Sequence, residues 1–184
     1  MILDEQALVR DLQTPSKSKK AFDELMRTYG EGMYWQIRKL VVNHDDALDL
    51  LQNSFLKAWN NIDNFRGAAK LSTWLYKIAI NESINFLNKE RQRRNISVDE
   101  EGDAYLLDNI EADEYFDGDE AQALLQRAIA SLPEKQRLVF NMRYFDEMRY
   151  DEMSEILGTS VGALKASYHH AVKKIEQIVK DAEK

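Results

Sequence analysis

The sequence predicts an all-α protein of two small helical domains, an N-terminal helical bundle and a C-terminal helix-turn-helix domain, joined by an acidic linker. Three observations carry this expectation. Apolar residues recur at helical spacing in both halves with no sustained alternating run, as helices require. The 184 residues include only two prolines and seven glycines, so helix breakers are scarce. Between Asn95 and Glu120 stand eleven acids (Asp99, Glu100, Glu101, Asp103, Asp108, Glu111, Asp113, Glu114, Asp117, Asp119 and Glu120) and no Lys or Arg. A block of like charge self-repels and forms no core, so 95–119 is expected to extend and to separate 1–94 from 120–184.

The elements follow in order. A first short helix ends near Thr14-Pro15-Ser16, because proline disfavours helix at the residue before it, and Ser16 or Ser18 is placed to cap the next helix. That long second helix carries Phe22, Leu25, Met26, Tyr29, Met33, Ile37 and Leu40 as its core stripe. Asn43 and Asp45 offer caps for a third helix with Leu48, Leu51, Phe55 and Trp59 as its expected inward line. A polar loop with Asn61, Asp63, Arg66 and Gly67 leads to a fourth helix, from near Ser72 to about Arg94, whose stripe is Leu71, Leu75, Ile78, Ala79 and Phe86.

Beyond the acidic stretch, a helix over 120–131 stops before Pro133, and a second begins at that proline with Leu138, Val139 and Met142. Met153, Ser154, Leu157, Gly158, Ser160, Val161 and Leu164 then have the spacing of a helix-turn-helix: Gly158 suits the positive φ of the turn, Ser160 the cap, and Leu164 the anchor.

Charge distribution bears on function. The net charge of −7 is concentrated in the acidic stretch, and setting those eleven acids aside leaves an excess of positive charge, gathered at Lys89 to Arg94 and Lys165 to Lys174. Either the chain binds polyanions at two sites or these clusters are solvated helix ends. The absence of cysteine excludes disulfide scaffolds, Cys-based zinc sites and thiol catalysis. Residues Met1 to Leu12 carry Asp4 and Glu5 and lack the basic start and apolar stretch of an export signal. No run of eighteen apolar residues suggests membrane insertion, and a cytoplasmic protein is expected.

Three surfaces carry the candidate chemistry. On the second helix of the helix-turn-helix, Lys165, Ser167, Tyr168, His169 and Lys173 are the expected outward residues, placed to meet base edges and phosphates in a major groove. The segment Phe65 to Asn81 mixes aromatics, bases and small residues at a loop-to-helix junction. Arg66, Lys70 and Lys77 suit a single-stranded backbone, and Thr73 and Asn81 stand with Lys77 at helical spacing, Asn81 offering an amide to a base edge. Phe65, Trp74 and Tyr76 fit stacking on unpaired bases and fit a core equally well. Asp45, Asp46, Asp49, Gln52 and Asn53, beside Leu50 and Leu56 expected to be exposed, form a face suited to a basic protein partner. No histidine or third carboxylate cluster at helical spacing completes a metal or catalytic site there, so neither metal nor cofactor is expected and an enzyme is disfavoured.

Over nearly its whole length the chain resembles the extracytoplasmic-function group of the sigma-70 family. The string Asp45-Asp46-Ala47-Leu48-Asp49-Leu50-Leu51-Gln52-Asn53 through Trp59 is similar to the family's helix that docks on the clamp helices of the largest subunit of core RNA polymerase. Phe65-Arg66-Gly67 with Thr73-Trp74-Leu75-Tyr76-Lys77-Ile78-Ala79 is similar to the element that melts and reads the minus-ten promoter region. By that resemblance, Phe65, Asn81 and the loop between them hold a flipped non-template base. Ser131-Leu132-Pro133-Glu134-Lys135-Gln136-Arg137 and the helix-turn-helix are similar to region four, which reads the minus-thirty-five element in duplex DNA. Where the family commonly has Thr-Val-Lys-Ser-Arg, this chain has Ala163-Leu164-Lys165-Ala166-Ser167, and His170 and Val172 stand where arginines are frequent. Lys165 alone carries over, which implies weaker phosphate attraction or a different promoter preference. The resemblance further implies a non-enzymatic initiation factor under the control of an anti-sigma partner. Two other readings remain open at this stage: a conventional helix-turn-helix regulator that binds duplex DNA without polymerase, and a helical adaptor that binds proteins alone.

Overall fold

A computed structural model describes residues 4–94, 104–112 and 120–182 of the chain. Among these residues there are nine α-helices, one short 3-10 turn and no strand. The first helix, α1 (Glu5–Leu12), starts on Asp4, whose carboxylate accepts from the Ala7 N–H at 3.0 Å. The second, α2 (Ser18–Val41), begins after Lys17 with no side-chain cap, so neither Ser16 nor Ser18 caps it. Ser18 instead donates to the Pro15 carbonyl within the preceding turn.

Val42 closes α2 at φ +64, a strained conformation for a β-branched residue. It is buried, and the sharp turn drops Asn43 into place as the cap of α3 (His44–Asn61), accepting from the Asp46 N–H at 3.0 Å. A 3-10 turn (Ile62–Asn64) and an irregular loop lead into α4 (Leu71–Arg93). Helices α2, α3 and α4 pack against one another, with α1 on α2. The small buried residues Ala47, Ser54, Ala58, Ala79 and Ser83 line this packing, and both serines return their hydroxyls to the carbonyls of Leu50 and Ala79 on their own helices.

Within the stretch expected to extend, Ala104–Ala112 forms a helix, α5. Tyr105, Leu106 and Ile110 are buried in the N-terminal core, and Tyr105 packs edge-on to Phe86. Its hydroxyl donates to the Asp46 carboxylate, and Asn43 Nδ2 donates to Asn109 Oδ1 at 3.0 Å. The apolar residues inside the acidic block therefore outweigh its self-repulsion. Asp99, Glu100, Glu101, Asp103, Asp113, Glu114, Asp117 and Asp119 lie outside the described residues.

The C-terminal part comprises α6 (Glu120–Ala130), α7 (Glu134–Tyr144), α8 (Tyr150–Leu157) and α9 (Val161–Ala182). Gly158 ends α8 at φ +63, the left-handed conformation glycine adopts without penalty. Ser160 Oγ accepts from the Ala163 N–H at 3.3 Å, and Leu164 is fully buried, as the helix-turn-helix spacing predicts.

Two cores result. Ala128, Ile129, Leu132, Phe140, Ala171 and Ile175 form a small one between α6, α7 and α9. Leu138, Val139, Met142, Met148, Met153, Ile156 and Leu164 belong instead to the large core that also contains Leu25, Ile37, Leu71 and Leu75. The two halves of the chain thus share one continuous apolar interior, with α7 on α2 and α8 on α4.

Candidate nucleic-acid interface

Helix α3 presents one polar face. Asp45, Asp49, Gln52 and Asn53 are exposed on it, while Asp46 is half-buried and held by Tyr105. Leu50, expected on this face, is 5% exposed and points into the core. Leu48 and Trp59, expected inward, are 38% and 39% exposed. The buried line is Ala47, Leu50, Ser54, Phe55 and Ala58, because small residues let α3 approach its neighbours closely and carry little hydrophobic signal of their own. Leu56, at 60% exposure, joins Leu48 as an outward apolar residue. Met26 on α2 likewise leaves the core stripe for the surface, and Phe22 packs edge-on to Trp59 at 4.8 Å.

The loop before α4 is pinned from α1 and the turn after it. Gln13 Nε2 donates to the carbonyls of Ile62 and Phe65 at 2.9 and 3.1 Å, and the Glu5 carboxylate accepts from the Leu71 N–H at the start of α4. Both positioning residues escaped the sequence reading, since each acts across about fifty or more positions. Gly67 holds the loop tip at φ +72, and Arg66 and Lys70 are exposed on either side of it. Phe65 is 8% exposed and packs on Trp74 with ring centres 5.2 Å apart. It is a core residue in this conformation, and Thr73 is buried beside it. Trp74 and Tyr76 are half-buried; the Tyr76 hydroxyl lies so close to Gly32 that a Cβ there would sit 3.0 Å from it. Burial, and secondarily the nearby Asp146 charge, pushes the Tyr76 phenol up from its ordinary value. Lys77 and Asn81 point outward from α4.

The basic end of α4 is largely consumed by carboxylates. Arg91 pairs with Glu134 at 2.6 Å, Arg93 with Glu90 at 2.7 Å, and Arg94 with Asp108 at 2.7 Å while also lying over the Tyr105 ring. Arg91 and Arg94 tie α4 to α7 and α5, which lessens their value as phosphate contacts, whereas the Arg93 pair lies within α4.

On α9, Lys165, His169 and Lys173 recur every fourth residue and are all exposed. Ala166 and His170 flank them. Tyr168, expected outward, is half-buried and stacks on Phe140, with ring centres 5.9 Å apart at 16°. It falls on the Leu164, Ala171, Ile175 side of the helix, which packs inward. Ser167 is half-buried. Lys165 Nζ lies 5.7 Å from the centre of the Tyr150 ring at the start of α8. Among the described residues no group of His, Cys, Asp or Glu is arranged to hold a metal, and no helix is long and apolar enough to cross a membrane.

Comparison with known proteins places this geometry. The model of sigma-70 region 2 matches residues 25–93, from within α2 to the end of α4, and that of sigma-70 region 4 matches 122–175, from α6 into α9. The extracytoplasmic-function RNA polymerase sigma factor SigW of Bacillus subtilis is 30% identical over 176 residues, covering 92% of this chain and 94% of that one. The chain belongs to the extracytoplasmic-function sigma factors of the sigma-70 family. Sigma-E of Escherichia coli is also 30% identical, with 96% of this sigma factor and 95% of that protein covered. Among solved structures, CnrH in complex with the cytosolic domain of CnrY superposes with a TM-score of 0.70 at 20% identity over 98% of this chain and 99% of that one. The sigma factor RpoE bound to the anti-sigma factor NepR of Bartonella quintana gives 0.66 at 19% identity, over 88% and 98%. Those two likenesses concern the fold. As a sigma factor, the chain acts with RNA polymerase in transcription initiation, binding DNA without catalysing a reaction. Both region boundaries leave out α5, the helix that ties the acidic stretch to Asp46 and Arg94.

Proposed function

We infer that three surfaces divide the work of this sigma factor in the cytoplasm. Residues 1–94 dock on the clamp helices of the largest core polymerase subunit through Asp45, Asp46, Asp49, Gln52 and Asn53. Leu48 and Leu56 add the apolar part of the contact and replace Leu50, whose side chain is buried. The same unit captures the minus-ten element as a non-template single strand, with Arg66, Lys70 and Lys77 on the backbone and Asn81 on a base edge. Trp74 and Tyr76 stack once exposed. Each stacked base contributes about 1–3 kcal/mol, enough to offset the few kcal/mol of unstacking without nucleotide hydrolysis. Residues 120–184 read the minus-thirty-five duplex through Lys165, His169 and Lys173, and 95–119 link the two. An anti-sigma factor is the expected inhibitor, since the RpoE likeness carries one.

The observation that supports this reading best is the α9 surface: three basic or titratable side chains at four-residue intervals, open to solvent above a fully formed Gly158 turn. Run-off transcription with purified core polymerase tests it. Asp49→Lys is expected to abolish core binding, whereas Lys165→Ala keeps core binding and lowers promoter selectivity. Equal loss of both activities in both variants would contradict the division of labour.

A further inference from the structure

Helix α5 is joined to the start of α3 by a ring of hydrogen bonds. The Tyr105 hydroxyl donates to the Asp46 carboxylate, and the Asp46 N–H donates to Asn43 Oδ1 at 3.0 Å. Asn43 Nδ2 donates to Asn109 Oδ1 at 3.0 Å, and Asn109 Nδ2 returns to the Tyr105 carbonyl at 2.7 Å. One turn of α5 is thus tied to the first turn of α3, and both asparagine amides are used at both ends. Asn43 stands at the corner where buried Val42 turns the chain at φ +64. Tyr105 itself has little freedom. It is 6% exposed, lies edge-on to Phe86 with ring centres 5.7 Å apart, and has the Arg94 guanidinium over its ring at 5.2 Å. Arg94 pairs in turn with Asp108 of the same helix. A buried phenol left without a partner would be costly, so the ring's fixed position directs its hydroxyl to Asp46. Burial first, and then the bond to Asp46, push the phenol above its ordinary value, so it remains a donor.

Asp45, Asp49, Gln52 and Asn53 are exposed and Asp46 is half-buried, so Asp46 is the member of the docking face whose carboxylate the protein holds in one place. A carboxylate offers about four lone-pair sites on its two oxygens. Tyr105 takes one of them at Oδ2, and among the described residues nothing else bonds the Asp46 side chain, which leaves Oδ1 for a cation. A free aspartate loses rotamer freedom when a basic partner grips it, and that loss weakens binding. Tyr105 fixes the rotamer beforehand. Resting on the docking role given to Asp46 in the preceding section, we propose that Tyr105 is a positioning residue for core-polymerase binding: α5 stays on the N-terminal unit in the complex, and its phenol holds Asp46 with one oxygen left for a basic side chain of the clamp helices. The acidic stretch then contributes to docking through uncharged side chains, Tyr105 directly and Asn109 through the cap of α3.

A double-mutant cycle on the full chain tests this. Affinity for purified core polymerase is measured by competition with an amino-terminally labelled wild-type chain, for Tyr105→Phe, Asp46→Ala and the two together, below the unfolding midpoint of each. Phenylalanine keeps the ring on Phe86 and under Arg94 and removes only the hydroxyl. Tyr105→Phe is expected to weaken core binding about three- to tenfold, and Asp46→Ala at least as much. In the Asp46→Ala background the Tyr105 change is expected to have no further effect, because the phenol acts through that carboxylate. A tyrosine that merely stabilises the fold would give losses that multiply. Multiplying losses, or a Tyr105→Phe chain that binds core as well as the wild type or more tightly, would overturn the proposal while leaving the docking face in place. If Asp46→Ala binds core like the wild type, Asp46 has no docking role and Tyr105 has nothing to position. Asp49→Lys then shows whether the docking reading fails for the whole face or for Asp46 only.

Discussion

The 65–70 loop and helix α9 each carry exposed bases and each stands near a glycine at positive φ, Gly67 within the loop and Gly158 before the helix. They end in different states. The loop lies under the carboxylates of α8, with Phe65 drawn into the core, whereas α9 shows Lys165, His169 and Lys173 to solvent. Placement in the tertiary structure separates them: α8 packs with α9, so the part of the chain that leaves the basic face of α9 open is the one that covers the 65–70 loop. A basic, aromatic loop is a surface for whichever anion arrives first, and an acidic helix end on the same chain has the advantage of proximity.

Truncation of the core tests how independent the two regions are. Leu25→Ala in α2 and Leu164→Ala in α9 each remove a fully buried side chain and should each cost about 2–5 kcal/mol in urea denaturation. Because both residues line one continuous core, a single unfolding transition is expected for either variant. Two separated transitions would show that the units fold independently and that their contact is energetically slight.

Smaller effects separate the readers functionally. Lys165→Ala should weaken minus-thirty-five duplex binding, measured by anisotropy with core enzyme present, by roughly 1–3 kcal/mol. Lys77→Ala should leave that duplex affinity unchanged and slow open-complex formation, read by permanganate reactivity. Next come the glycines: neither Gly67 nor Gly158 has an atom within 4 Å of where a Cβ would stand, so alanine at either site should cost only the backbone strain of about 1–2 kcal/mol. A much larger loss at Gly158 would mean that the turn cannot yield without displacing α9.

The smallest effect concerns the seam between the units. Burial raises the Asp146 carboxyl above its ordinary 3.8, and the contacts with Lys39 and Gln36 only partly oppose this. The folded form thus holds this proton more tightly than the unfolded chain. Its contribution is fully favourable below 3.8 and is lost as pH rises through the raised value. Wild type should therefore lose stability relative to Asp146→Asn over that interval, as followed by urea midpoints. The opposite slope would show that the Lys39 pair outweighs burial.

Legibility varied with the kind of residue that carries each element. Helices α2 and α4 and the helix-turn-helix were readable because Leu25, Ile37, Leu75 and Leu164 announce their faces and Gly158 its turn. The inward face of α3 is hard to read because Ala47, Ser54 and Ala58 carry it without hydrophobic bulk, so Leu48 and Trp59 form the more conspicuous pattern. Tyr168 is expected among the outward positions of the second helix, although its four-residue step from Leu164 puts it against Phe140. Helix α5 had a local signal in Tyr105, Leu106 and Ile110, overshadowed by the acids around them.

By itself the sequence determined the helices outside the acidic stretch, the Gly158 turn and the family, since these depend on side-chain periodicity and motifs within a few turns of chain. Tertiary structure alone decided that Leu50 is core, that Phe65 is sealed, that Arg91 and Arg94 at the end of α4 are spent on pairs with other helices, and that α8 lies across the 65–70 loop. The placement of α8 goes with pairs such as Lys39 with Asp146 and Lys70 with Glu152, separated by 107 and 82 positions. No local pattern encodes such a meeting; it follows from how the shared core brings α7 to α2 and α8 to α4.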